Sequence, residues 1–96
     1  MRIAQVAPLF ESVPPQGYGG TERVVAYLTE AQVELGHHVT LFATGDSITT
    51  AELVPVCDRG LRAEPESVAT LWHTLMLDQV LARAHDFDVF HSHIVV

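Results

Sequence analysis

Two short apolar segments flanking one helical stretch constrain this chain more than any other feature of it. Arg2 to Ala7 reads Arg-Ile-Ala-Gln-Val-Ala, nearly apolar on both faces, and Pro8 ends it. Val39 to Thr44 is again apolar and β-branched, closed by Gly45-Asp46-Ser47. Strands with no polar face belong to parallel sheets covered on both sides. Parallel neighbours need a crossover, and Thr21 to Leu35 supplies it. Val24, Leu28, Ala31 and Leu35 recur at helical spacing and predict one apolar face. Thr21 is placed to cap the helix and Glu22 sits at the positive end of its dipole. Gly36 is a natural stop.

The rest of the chain repeats the pattern. Glu52 to Cys57 reads as a third, shorter strand and Asp58 to Glu64 as a surface connection. Pro65 suits a first helical turn. The helix behind it runs to about His85, with Val68, Leu71, Trp72, Leu75, Val80, Leu81 and Ala84 as apolar anchors. Asp88 to His91 starts a final strand. Alternating strands and helices imply the α/β class, here a Rossmann-like open parallel sheet with flanking helices and right-handed crossovers. The chain's 96 residues make one domain, without a linker or internal repeat. Its 48% apolar and 18% charged content fits a packed core, not disorder. The sequence finishes on Ile94-Val95-Val96, straight after a core strand, and so reads as a truncated gene product or an excised half of a longer protein. An incomplete sheet exposes an edge or an apolar face through which copies could form a homo-oligomer.

Charge excludes several classes of partner. The net charge is −7, and the five basic residues are scattered arginines with no lysine among them. No nucleic acid is expected, because a phosphate backbone needs clustered positive charge. Attraction to anionic lipid fails for the same reason. Cys57 is the only cysteine, so no intramolecular disulfide forms; a small apolar side chain in a strand is its simplest role. The N-terminus lacks a secretory pattern, and no apolar run approaches the ~18–20 residues of a membrane span. A cytoplasmic location is the default expectation.

Two constellations carry chemistry. Gly17-Tyr18-Gly19-Gly20 precedes the first helix, in a loop that is long for a compact domain. Glycines there let the backbone approach a ligand, and the free amides of the helix start face an anion such as a phosphate. An ordinary glycine-rich turn is the plain alternative. The dinucleotide fingerprint does not fit the spacing, and a P-loop would need a lysine.

The second constellation is His91-Ser92-His93. Period two sets both imidazoles on one side of the last strand, near its C-terminal end. Ligands of open parallel sheets bind at those ends, where the strand order reverses. With the first strand central, the glycine loop and the histidine pair face each other across that crevice. A hydrogen-bonded structural pair is the plain alternative. A metal is the weaker one: zinc needs a third and usually a fourth ligand, and His37, His38, His73 and His85 show no matching spacing. Asp46 could contact a ribose, but a turn former is the simpler reading. Glu22 needs no ligand to explain it.

Taken in order, these segments resemble the N-terminal domain of glycosyltransferase family 4, the retaining enzymes of GT-B fold. Met1-Arg2-Ile3-Ala4-Gln5-Val6 is similar to the family's start, and Gly19-Gly20-Thr21-Glu22-Arg23-Val24-Val25 to its helix opening. Gly36-His37-His38-Val39-Thr40-Leu41-Phe42 resembles its second strand, and Phe87-Asp88-Val89-Phe90-His91-Ser92-His93 its histidine strand. The resemblance implies two Rossmann-like domains with a cleft between them. Residues 1–96 would be a single partial domain on the acceptor side, and the domain that holds most of the nucleotide-sugar donor is absent. It implies that Gly19 and Gly20 approach the donor diphosphate. His93 would lie beside the transferred sugar as the catalytic position, with His91 as a substrate-binding neighbour. It further implies an unknown acceptor chosen by the loop Phe10 to Tyr18, no metal, and no cofactor beyond the nucleotide-sugar substrate. The segment alone would lack most of the donor site and, by that reading, activity.

Overall fold

Arg2–Val6 forms β1, the spine of a four-stranded parallel sheet in the computed structural model, which describes residues 1–94. The chain continues through α1 (Gly20–Glu34), β2 (His38–Ala43), β3 (Glu52–Pro55), α2 (Glu66–Ala82), a 3-10 turn (Ala84–Asp86) and β4 (Val89–Ser92). The strand order is β3-β2-β1-β4. β1 therefore has β2 on one side and β4 on the other, with Ile3 opposite both Val39 and Val89. The expected parallel sheet with flanking helices is the fold observed. Of the terminal apolar run, Ile94 is described; Val95 and Val96 lie outside the described residues.

Alternation along β1 feeds two cores. Ala4 and Val6 join Phe42, Ala69, Met76, Val80 and Phe87 on the α2 side. Ala7, Leu41 and Ala43 join Val13, Val25 and Ala26 on the α1 side. Two faces buried under helices explain why these strands carry almost no polar residues. Gln5 in β1 and Thr40 in β2 are the exceptions, both fully buried in mid-strand.

Three local expectations change. The helix α1 begins one residue early, with Gly19 at the cap position and no side-chain cap bond. Gly19 has φ +136, which a side chain at Thr21 could not replace. The buried face of α1 is Glu22, Val25, Ala26 and Thr29, whereas Val24 and Leu35 are 51% and 76% exposed. Both stripes have helical period; Val25 and the small Ala26 let the helix lie closer to the sheet, and that contact selects the face. In α2 the anchors are Ala69, Met76 and Val80, while Leu71, Leu75 and Leu81 stay exposed.

The expected stop at Gly36 is a full Schellman turn. Gly36 has φ +91, its N–H donates to Val33 O at 3.0 Å, and His37 N–H donates to Gln32 O at 3.1 Å.

Candidate active site

The strand order reverses at β1. Its loop leads to α1 on one face, while β4 arrives from α2 on the other. The two connections part at the C-terminal ends of β1 and β4, which opens a crevice there. A cleft of about 650 Å³ occupies that place, the size of a small-molecule site.

Three groups of residues make its walls. The first is the loop after β1 with the first turn of α1: Pro8, Phe10, Tyr18, Gly19, Gly20, Thr21 and Glu22. The second is the N-terminal half of α2: Glu66, Ala69, Thr70, His73 and Thr74, with Arg62 before it. The third is His93 with Ile94, just past β4. Arg62 reaches the rim because Leu61 and Arg62 donate to Leu9 O and Phe10 O at 2.8 and 3.2 Å. Its guanidinium is engaged by the Glu11 carboxylate.

Gly20 is open to the cleft: a Cβ built on it meets no atom within 4 Å. The amides at the start of α1 stand beside it, unsatisfied within the helix and on its positive end. Glu22, one turn in, is only 3% exposed yet lines the same wall.

Two hydrogen-bonded histidines fix the opposite walls. His73 accepts from Leu9 N–H through Nε2 at 2.9 Å, so its Nδ1 carries the proton that goes to Ala69 O at 2.7 Å. It thereby ties the loop after β1 to α2, with the Phe10 ring tilted over it at 5.1 Å. His93 continues the β1 ladder, its N–H donating to Val6 O at 2.9 Å. Its Nε2 lies 2.7 Å from Gln5 Oε1, and Gln5 Nε2 donates to Gln32 Oε1 at 2.9 Å. Burial, followed by the neighbouring His91, holds the His93 imidazole below the ordinary histidine range and favours its neutral form.

Gly19, Gly20 and His93 thus meet in one cleft, as the strand pattern predicts. His91 does not line it: exposed on β4, it lies against His93 with ring centroids 4.1 Å apart. Asp46 accepts from Thr44 in the turn after β2 and plays the turn-forming part. A family sequence model described as Glycosyltransferase Family 4 matches residues 18–96, which takes in Gly19, Gly20, His91 and His93. The chain belongs to glycosyltransferase family 4.

A solved structure agrees. The chain is similar to the crystal structure of AviGT4, a glycosyltransferase involved in avilamycin A biosynthesis, with 36% sequence identity and a TM-score of 0.64. The similarity covers 96% of this chain and 25% of that one, so the chain spans about a quarter of the AviGT4 length. No curated protein sequence matches it significantly. Among the described residues, no helix of this family 4 chain is long and apolar enough to cross a membrane.

Sequence reasoning missed His73, Arg62 and the α2 wall of the family 4 cleft, and passed over Gln5. Gln5 did carry a signal, a polar residue where the pattern demands an apolar one. His73 carried none, since a histidine on a helix face reads as surface until its partners are known.

Proposed function

We propose that the chain is the acceptor-side segment of an enzyme that moves a sugar from a nucleotide-sugar donor to an acceptor. The observation that carries the reading is the convergence of Gly19, Gly20 and His93 on one cleft at the strand ends. In it the amides at Gly19 and Gly20 approach the donor diphosphate. Fixed dipoles there favour the charge that builds on the leaving group, the usual electrostatic device of such transfer. His93 stands beside the transferred sugar, and His91 supports it from outside the lining. The acceptor meets the wall from Phe10 to Tyr18. The donor is a substrate; no separate cofactor or metal enters the proposal. Turnover is assigned to this segment only in company with a donor domain.

Titration of the segment joined to a donor domain with a panel of nucleoside-diphosphate sugars, followed by amide and imidazole NMR, tests this. Shifts should concentrate at Gly19 to Arg23 and at His93, and vanish in Gly20→Val, which the fold has room to accept. Spectra unmoved by every donor would sink the assignment. Equal response to bare nucleotides, with His93 silent, would instead favour a Rossmann-like nucleotide-binding module without chemistry.

A further inference from the structure

Gln5 is the one polar side chain in β1 that points at the α1 core, and it is fully buried there. Its strand neighbours on that face are Ile3 and Ala7, and Leu41 lies beside it on β2. A buried amide in such surroundings costs free energy unless both its ends are hydrogen-bonded. Both are. The Nε2 end donates to Gln32 Oε1 at 2.9 Å, and the Oε1 end is 2.7 Å from His93 Nε2.

We propose that Gln5, oriented by Gln32, is a positioning residue that fixes the tautomer of His93 and so decides which kind of hydrogen bond its imidazole offers to the cleft. With its NH2 group given to Gln32, the Gln5 amide presents only a carbonyl oxygen to His93. A carbonyl oxygen accepts, so His93 Nε2 must carry the hydrogen. A neutral imidazole has a single N–H, and Nδ1 is left as a bare lone pair. Among the described residues that nitrogen has no hydrogen-bond partner. The neutral ring is favoured by its burial and by His91 at 4.1 Å. The consequence rests on the transfer reading above: His93 accepts a hydrogen bond from a ligand hydroxyl and does not donate one. The chain of contacts starts at Gln32, which is not among the residues lining the cleft, so a change at that position reaches the cleft without touching its walls.

The test is the nitrogen spectrum of the imidazole in the uniformly 15N-labelled chain, recorded at about pH 8, above the ordinary histidine value. Native His93 should show one species, with an N–H type Nε2 and a bare Nδ1. Gln5→Leu should turn that species into a mixture of both tautomers. Should Gln5→Leu fail to fold, Gln32→Leu decides: it changes a half-buried residue on α1, leaves Gln5 in place, and frees its amide to turn over. It too should give a mixture. A role in packing alone would leave the tautomer where it was. A native proton on Nδ1, or a Gln32→Leu chain that keeps the single Nε2–H species, would overturn the proposal. Neither result depends on donor binding, so the tautomer lock and the transfer reading stand or fall separately.

Discussion

Adjacent glycines at the mouth of the cleft have opposite jobs. Gly19 sits at φ +136, and a Cβ there would stand 2.9 Å from Pro15 Cβ and 3.1 Å from Glu22 Oε1. Gly19→Ala should therefore cost about 1–3 kcal/mol, the usual range for a side chain forced into a sparsely populated backbone region. Gly20 is the first residue of α1 with open space where a Cβ would go. Gly20→Ala should instead stabilise by about 0.4–1 kcal/mol, by narrowing the unfolded ensemble. Urea denaturation of both variants checks the pair, and equal stabilities would refute the local geometry. In the sequence the two are indistinguishable neighbours; only the folded backbone separates the glycine held at positive φ from the one with open space beside it.

At the scale of the element, α1 shows how far periodicity reaches. Helical spacing marks Val24, Leu28, Ala31 and Leu35 as one apolar stripe, yet the sheet receives the stripe of Val25, Ala26 and Thr29. The existence and limits of the helix were legible, because Gly36 and the apolar period are local signals. Which of two stripes turns inward was not, because that depends on how closely each can approach β1 and β2. The choice leaves a cost behind: Thr29 is fully buried and its Oγ1 has no hydrogen-bond partner among the described residues. Thr29→Val keeps the shape and removes the orphaned hydroxyl. It should raise stability by about 1 kcal/mol, read as a higher urea midpoint with an unchanged slope. A lower midpoint would show that the hydroxyl has a partner in solution.

For the whole molecule, the displaced groups that titrate below neutral pH all pull in one direction. An Arg83 hydrogen bond chiefly holds Glu52 below the usual carboxylate range, and the Arg2 backbone N–H does the same for Asp88. Burial raises Glu30, but donors from Thr50 and Thr49 outweigh it and the net direction is again down. His93 is also held down, by burial. In each case the native state binds its proton less readily than the unfolded chain does. Stability is then fully present above the unfolded values and falls as pH drops through them. The His93 share goes first, below about pH 6.5, and the carboxylate share follows below about pH 4.5. Thermal melts across this range should show the native chain losing stability between neutral and mildly acidic pH. His93→Gln should lose less over that interval and the same at lower pH. An identical profile for the variant would mean that His93 is not depressed in the fold.

The sequence by itself determined the class of fold, the order of its elements, the family, and three of the residues that meet in the cleft. These follow from local rules: period two against period 3.6, glycine where the backbone must turn, and strand ends where parallel sheets bind ligands. Tertiary structure alone decided that His91 stands outside the lining, that His73 ties the loop after β1 to α2, and that Gln5 reaches His93. Each of these joins residues on different elements, Gln5 and His93 being 88 positions apart. Their hydrogen bonds exist only once packing has set the distance between those elements, and no spacing along one segment encodes that distance.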